Sequence, residues 1–522
     1  MSQLFATISQ LCLAVAVPYF LLCTVLGVKV VRRQSGSLRA QEAAGEGSPP
    51  PTPTGYDVYF LVPCLNEELV IGATVHRLLG EGERRVIVID DGSDDGTSTA
   101  ARKAATEVGA PHRLHVVSRR LPDARKGKGA ALNAGLRCLL DDVGKRHLAP
   151  ERVIVCVMDA DGRLSPGAVE AALVPFADDR IGGVQLTVRI RNRNRLIGQF
   201  QDVEFWVISA LSQFARTLTG SVSLGGNGQF ARLTALQSLD GEPWTESLTE
   251  DLDFGVRLVA AGWRLTTTAG GYVDQQGVES YRRLLRQRVR WYQGHMTCIK
   301  RLPELWRSDR MSELTLLEVS SYLLVPWVIV LPWSVLQQWV LWQLVTGSGR
   351  GVLAQGLGSP VARIGYGVLW YTLSFLPNIV IGLTYARRTR AVSKPRALAL
   401  GHLMIAWNYI GYLAAWRAAF RMLRGQGGWD KTARTSEAAP ALGGQPVGGE
   451  PVAQLEGGAE REALAPVVAL SARDVDRAAR SDAARRAIEA ILLSVDLHGG
   501  SLGDAAEEAD PADDVRRRHL VA

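Results

Sequence analysis

Three acidic clusters carry the chemistry in this sequence: Asp90-Asp91-Gly92-Ser93, Asp159-Ala160-Asp161-Gly162 and Thr249-Glu250-Asp251. Adjacent or near-adjacent carboxylates present hard oxygen donors to a divalent cation, and such a cation lets an acidic site accept a diphosphate. Between the first two clusters lies Arg125-Lys126-Gly127-Lys128-Gly129, where glycines beside lysines bring backbone N–H groups and an ammonium close to phosphate. This loop lacks the GxxxxGKS/T spacing of a P-loop, and no GxGxxG follows an early strand, which argues against a dinucleotide dehydrogenase. Taken singly, each motif has a plainer reading. The first two acidic clusters are ordinary Asp/Gly turns, the lysine loop a solvated basic turn, and Thr249-Glu250-Asp251 a favourable helix start. Their occurrence in one ordered set is what points to a site.

Two further segments join them. Gly225-Gly226-Asn227-Gly228-Gln229-Phe230 reads as a glycine-rich turn beside a strand, where backbone approaches a ligand closely. In Gln287-Arg288-Val289-Arg290-Trp291, the positions Gln287, Arg290 and Trp291 fall on one helical face and Arg288 on another. Without the other motifs that segment is an interfacial helix with snorkelling arginines.

These residues need elements to hold them. Residues 58–65, 85–90, 113–118 and 152–159 are short β-branched runs, each followed by a stretch of helical composition. Such alternation predicts a largely parallel sheet covered on both faces, with ligands at the carboxyl ends of the strands. Asn66-Glu67-Glu68, Asp90-Asp91 and Asp159-Ala160-Asp161 lie at or just beyond the ends of the first, second and fourth runs. A helix is expected to open at Thr249-Glu250-Asp251 and to continue through Leu258. Two surface helices are expected at Leu196 to Leu218 and Tyr281 to Leu302, joining the catalytic domain to a bilayer.

The chain has 522 residues, a formal net charge of +7 and 47% hydrophobic residues, which excludes a wholly disordered protein. From Thr435 onward there are 16 acidic and 9 basic residues, a net of −7, which leaves +14 on the rest. A basic body with apolar stretches suits a membrane surface or an anionic substrate. No DNA- or RNA-binding module is visible, so nucleic acid is not expected as a partner. The 6 cysteines lie far apart without a CxxC pair, as for buried thiols in a reducing compartment.

Leu4 to Val31 is uncharged before Lys29 and long enough to cross a bilayer, with basic residues after it rather than before; that polarity suits an anchor, not a cleaved signal. The organisation expected is a transmembrane anchor at 1–33, a linker at 34–55, a catalytic domain with interfacial helices at 56–310 and membrane helices at 311–428. Val319 to Val345 and Ile364 to Tyr385 are the clearest spans, and Pro326 and Pro332 predict a kink or tilt in the first. Thr346 to Arg363 suits an external loop, and Arg387 to Arg396 a cytoplasmic cluster. Ala397 to Leu423 carries His402, Arg417 and Arg421 and reads as a tilted, interfacial or re-entrant helix. Residues 435–522 read as a mostly disordered acidic tail with a helix over 474–496.

In order and content, PCLNEE, DDGS, GKGAALNAG, DADG, GGNGQFAR, TED and QRVRW over residues 57–291 resemble the membrane-integrated family 2 glycosyltransferases. That group includes cellulose, hyaluronan and poly-N-acetylglucosamine synthases. The resemblance implies a GT-A fold, a Rossmann-like α/β domain with a mostly parallel sheet on the cytoplasmic side, flanked by transmembrane and interfacial helices. It implies a UDP-sugar donor and Mg²⁺ or Mn²⁺. By the same resemblance Glu67, Asp91 and Asp90 hold the uridine and ribose, Lys128 reaches the diphosphate, Asp159 contacts the nucleotide sugar and Asp161 binds the metal. Asp251 is the general base on the acceptor hydroxyl, with Glu250 beside it. Gln287 and Arg290 serve the diphosphate or acceptor, while Asn227 and Gly228 lie by the acceptor terminus. Trp291 offers the acceptor sugar a flat apolar face. Trp429, Thr432 and Arg434 are similar to a gating segment of some synthases.

The activity implied is inverting, processive transfer of a hexose to the non-reducing end of a β-linked polysaccharide, coupled to export. The alternative is single-sugar transfer to a lipid acceptor of the ceramide or polyprenyl-phosphate type. The expected location is a bacterial plasma membrane crossed more than once, with the catalytic domain cytoplasmic and a second copy or an export partner alongside.

Overall fold

The computed structural model describes residues 18–19, 22–34, 55–346, 359–389 and 392–426. The chain divides into Met1–Val468 and Ala469–Ala522, and every described residue belongs to the first unit. Most of the expected linker and external loop, the segment bearing Trp429, Thr432 and Arg434, and the acidic tail with its helix over 474–496 lie outside the described residues.

The four β-branched runs form β1 (Asp57–Cys64), β2 (Arg85–Asp90), β3 (Leu114–Ser118) and β4 (Val153–Val157), mutually parallel in the order β3-β2-β1-β4. Side chains alternate between the two faces of these strands. Val58, Phe60, Val62, Val86 and Val88 pack under α1 (Glu68–Gly80) and α2 (Thr97–Glu107). Tyr59, Leu61, Ile87 and Ile89 pack under α3 (Lys128–Lys145) and α5 (Glu250–Ala260). Both faces are thus covered, as the continuous apolar runs require.

The second half of the sheet differs from the expectation of a mostly parallel sheet. The sheet has eight strands and is mixed, continuing from β4 through β7 (Gln229–Arg232), β6 (Ile181–Ile190), β8 (Arg264–Gln275) and β5 (Arg163–Leu164). β7 runs antiparallel to both β4 and β6, whereas β6 and β8 are parallel. The reason is geometric. Because β7 enters the sheet beside the end of β4, the glycine-rich turn that precedes it lands at the strand edge that holds the acidic motifs, and Gly228 N donates to Val157 O at 3.0 Å. A parallel β7 would place that turn at the opposite edge.

The surface helix expected at Leu196 to Leu218 is α4 (Leu196–Val203), a π-type turn over Glu204–Ser209 and a short helix Ala210–Arg216. The next is α6 (Tyr281–Thr297). After α7 (Glu313–Val325), a π-type turn at Pro326–Val330 leads into Leu331–Thr346, so the proline expected to bend this segment coincides with a widened turn. The last two helices are α8 (Pro360–Thr389) and α9 (Lys394–Leu423), of 30 residues each. Among the described residues two helices are long and apolar enough to cross a membrane, Glu313–Trp339 and Lys394–Leu423.

α9 lies along the α/β domain. Leu400, Met404 and Trp407 cluster with Ile197 and Phe200 of α4, and Ala414, Ala415, Ala418 and Ala419 pack on Val289 and Met296 of α6. α8 is tied to the sheet: Tyr385 Oη donates to Asp202 Oδ2 at 2.9 Å, and Asp202 Oδ1 accepts from Ile190 N at the end of β6 at 2.8 Å.

Close packing at the start of α3 makes a paired prediction. A Cβ at Gly129 would run into the Thr245 carbonyl oxygen, whereas Gly144 in the same helix has open space around it. Gly129→Ala should destabilise the fold by about 1–3 kcal/mol. Gly144→Ala should be neutral or stabilising by up to about 1 kcal/mol. Thermal unfolding of the two variants beside the parent checks both.

Candidate active site

The register of the parallel strands brings the motifs together. Cys64 pairs with Asp90 and Asp90 with Ser118, so the segments following β1, β2 and β3 leave the sheet at one level. There the loops after β1 and β2 latch onto each other. Asn66, in the left-handed region at φ 54°, donates its N–H to Ser93 Oγ and accepts from Asp94 N at 2.8 Å. The Glu67 amide donates to Thr97 Oγ1 at 2.9 Å. Asp90 accepts from Ser93 N at 2.9 Å and from Ser98 Oγ, so its carboxylate shapes the turn. Asp91 is paired with Arg119, and burial nonetheless holds its carboxyl above the ordinary value. Arg119 was not singled out in the sequence; it is the residue after β3, a strand end that carries no acidic motif.

Lys128 is the centre of the arrangement. Its ammonium donates to Asp159 Oδ1 and to the Gly226 carbonyl, each at 2.8 Å, and lies 3.8 Å from Glu250 Oε1. A Cβ built on Gly226 would sit 2.6 Å from Lys128 Nζ and 3.4 Å from Asp251 Oδ2. Residues from the β4 end, the glycine-rich turn and the start of α5 therefore meet within a few ångströms. Burial pulls the Lys128 ammonium down, but Asp159, Glu250 and Asp251 outweigh it and hold its pKa above the usual value. Burial and then the Asp251 charge push Glu250 up to about 7, against the pull of Lys128 and Arg290. Asp251 is raised as well, chiefly by burial, and Lys128 and Arg290 oppose that rise. One of its oxygens accepts from Leu252 N at 2.8 Å.

The glycine-rich turn is held by amide side chains. Asn227 Oδ1 accepts from Asp159 N at 3.3 Å, and its Nδ2 donates to Gln275 Oε1 at 3.2 Å. Gln185, buried on β6, accepts from Gly225 N at 2.7 Å and donates to Asn227 O at 2.8 Å. Gly228 has φ +71°, and a Cβ there would press on Leu186 and Val273, so the turn requires glycine at that position. Asp161 is buried; its Oδ2 accepts from Gln276 N at 3.3 Å and its carbonyl from Arg191 at 3.0 Å. Gln185, Gln275 and Arg191 were missed in the sequence because β6 and β8 were not recognised as strands of this sheet.

On the other side α6 packs directly on Thr249. A Cβ at Gly294 would lie 2.5 Å from Thr249 Oγ1. Arg290 acts electrostatically on both Glu250 and Asp251, and its Nε is buried without a hydrogen-bond partner among the described residues. A buried guanidinium N–H of this kind suits an anionic ligand. Gln287 is half-buried one turn earlier. Trp291 carries the Arg288 guanidinium over its ring at 4.6 Å and meets Phe205 edge-on at 6.0 Å, while Arg288 also pairs with Glu204.

No group of three or more His, Cys, Asp or Glu side chains suited to a metal ion occurs among the described residues. Asp159 and Asp161 supply two carboxylates, a donor set that fits an ion of the Mg²⁺ type whose shell is completed by substrate phosphate oxygens and water.

Two outcomes follow from this geometry. Replacing Lys128 by Met removes the cation that favours ionisation of Glu250, so the Glu250 carboxyl should titrate above about 7 when followed by carbon NMR. Gln185→Leu removes both bonds to the turn, and the Gly225 amide should lose hydrogen-exchange protection by on the order of tenfold.

A model described as "Glycosyltransferase like family 2" matches residues 53–294. A β-monoglucosyldiacylglycerol synthase of Synechocystis is 29% identical over 333 residues, covering 59% of this chain and 63% of that protein. A poly-β-1,6-N-acetyl-D-glucosamine synthase of Staphylococcus aureus is 27% identical over 241 residues, covering 45% of this chain and 54% of that protein. The chain thus spans between half and two thirds of the length of these relatives. Among solved structures, a mannosyltransferase of Pyrobaculum calidifontis in complex with GDP-Man and Mn²⁺ superposes with TM-score 0.44 at 19% identity over 78% of this chain and 100% of that one, too loosely to carry an argument. The motif order, the strand-end geometry and the model match agree on residues 53–294, which form a domain of the glycosyltransferase-like family 2 type.

Proposed function

We propose that this enzyme transfers a hexose, with inversion, from a UDP-sugar to a hydroxyl of a lipid acceptor at the cytoplasmic face of a membrane. One observation carries the reading: Asp251, Lys128 and the Gly226-Asn227 turn converge on one point, which supports a common place for donor, acceptor and proton-accepting groups.

In this reading Glu67 and Asp91 receive the uridine, with Asp90 bracing the turn behind them. Lys128 and Arg290, with Gln287, face the diphosphate. Asp159 and Asp161 hold Mg²⁺ or Mn²⁺ jointly with it; the ion, when bound, offsets charge on the departing diphosphate. Asp251 accepts the proton of the acceptor hydroxyl as that oxygen bonds to the sugar anomeric carbon and the bond to the phosphate oxygen breaks, releasing UDP. The raised pKa of Asp251 makes it a stronger base than a solvated aspartate. Glu250 beside it, protonated below about pH 7, limits the repulsion between the two carboxyls. Asn227 and Gly228 form the acceptor wall, and Trp291 with Phe205 an aromatic flank.

Support for a lipid acceptor comes from the similarity to glucosyldiacylglycerol synthases, which runs over 333 residues and beyond the length of the family match. The second reading is processive synthesis of a β-linked polysaccharide. It is favoured by the similarity to poly-N-acetylglucosamine synthases and by the aromatic pair of Trp291 and Phe205, which could flank an acceptor sugar. Under either reading the protein sits in the plasma membrane with its catalytic domain cytoplasmic.

The test is a panel of UDP-sugars with diacylglycerol vesicles and Mg²⁺ or Mn²⁺, reading UDP release and product size. A singly glycosylated lipid is expected; polymer of many sugars selects the second reading, and no UDP release from any donor removes both. Asp251→Asn should retain UDP binding and lose turnover by on the order of 10²- to 10⁴-fold. Because the Asp251 pKa is raised, kcat/KM should fall on the acid side at a pH above the ordinary aspartate value of about 3.9. Glu250→Gln, which replaces a carboxyl already protonated below about pH 7, should leave that limb in place in a pH–rate profile.

A further inference from the structure

We propose that Arg216 and Glu318 are positioning residues, an ion pair that fixes the stem of the glycine-rich turn to α7 and so sets the place of the acceptor wall. The inference rests on the reading of Asn227 and Gly228 as that wall and names what holds them. Glu318 is the only charged residue in 314–339, within the helical stretch Glu313–Trp339 that is long and apolar enough to cross a membrane. A carboxylate in such a stretch is costly unless a cation meets it. Arg216, buried at the end of the short helix Ala210–Arg216, is that cation: its Nε lies 2.7 Å from Glu318 Oε1.

The pair is not closed on itself. The Arg216 guanidinium also donates to Ser223 Oγ, and Ser221 Oγ donates to the other oxygen of Glu318. These two serines are the stem of the turn: Ser223 stands three residues before Gly226, whose carbonyl accepts from the Lys128 ammonium. Gln213, on the helix that carries Arg216, accepts from Ser223 N at 3.0 Å and donates to Ser223 O at 2.9 Å. α7 meets the stem with one stripe, Thr315, Glu318 and Tyr322, spaced by three and four residues. Thr315 Oγ1 donates to Thr219 O at 2.8 Å, and the Arg216 guanidinium lies over the Tyr322 ring at 4.0 Å. Gln185 and Gln275 hold the turn from the sheet, and this pair holds it from the helices. An ion pair that served only to anchor α7 would need neither serine. Through their hydroxyls, the position of Glu318 along α7 becomes the position of the segment that leads into Gly226 and Asn227.

The experiment is steady-state kinetics of the full chain with diacylglycerol vesicles and the UDP-sugar that supports UDP release, measuring KM for donor and acceptor separately, beside thermal unfolding. Glu318→Gln leaves Arg216 without its counter-charge and is expected to raise the acceptor KM by on the order of tenfold with the donor KM unchanged. Ser223→Ala, which removes one hydroxyl and no charge, should raise the acceptor KM by about threefold. The variant that separates positioning from anchoring is Arg216→Met combined with Glu318→Leu. Removal of both charges should return the unfolding temperature to the parental value, because no buried charge is left unpaired. The serines have still lost their partners, so the acceptor KM should stay raised. A parental acceptor KM in that folded double variant, or donor and acceptor KM raised alike in the single variants, overturns the proposal and leaves the proposed function intact. If the double variant does not fold, Ser223→Ala decides: an unchanged acceptor KM overturns the proposal. Absence of UDP release by the wild type with every donor removes the proposed function and this proposal together.

Discussion

The Lys128 ammonium is withdrawn from water and bonded at once to a carboxylate after β4, to a carbonyl in the turn before β7 and, more distantly, to a carboxylate at the start of α5. A buried cation is tolerable only with such partners, and removing one leaves an uncompensated charge that typically costs about 3–5 kcal/mol. The three segments are therefore held to each other by the cost of separating them. Everything else in the pocket is arranged around that requirement: Asn227 and Gln185 hold the turn whose carbonyl Lys128 needs, and Gly226 leaves room for the ammonium beside Asp251.

The same constraint explains the pKa pattern. Three carboxyls crowd one ammonium and one guanidinium away from solvent, so burial raises Glu250 and Asp251 while the cations limit the rise. A site prepared in this way is short of positive charge, and the two carboxylates of Asp159 and Asp161 are where hard ligands are on offer.

The C-terminal helices and α6 are not an appendage to this domain. α6 touches Thr249 through Gly294 and bears Arg290, while its opposite side is covered by the alanine stripe of α9. At the other end of the sheet, Trp206 lies between the guanidinium groups of Arg189 and Arg388, so α8 is fastened next to β6 and β8. Displacing either helix therefore disturbs residues one shell away from the reacting groups.

Local chemistry was written in the sequence: β-branched runs predicted β1, β2, β3 and β4, and the ends of β1, β2 and β4 carry Glu67, Asp90, Asp91, Asp159 and Asp161 where parallel strands must end. The helix start at Glu250 was equally legible, since Thr and acids at an N-terminus are a short-range signal. What composition could not reveal was the partner of each loop. Nothing local specifies that β7 lies antiparallel beside β4, that Gln185 on β6 reaches the glycine-rich turn, or that Arg119 meets Asp91. Residue type and spacing determine which groups are suited to diphosphate and proton chemistry, because those properties belong to the side chain and its immediate neighbours. Strand order and helix packing alone decide which of those groups share a pocket, because contacts between segments a hundred residues apart are set by burial of the whole sheet and not by any one motif.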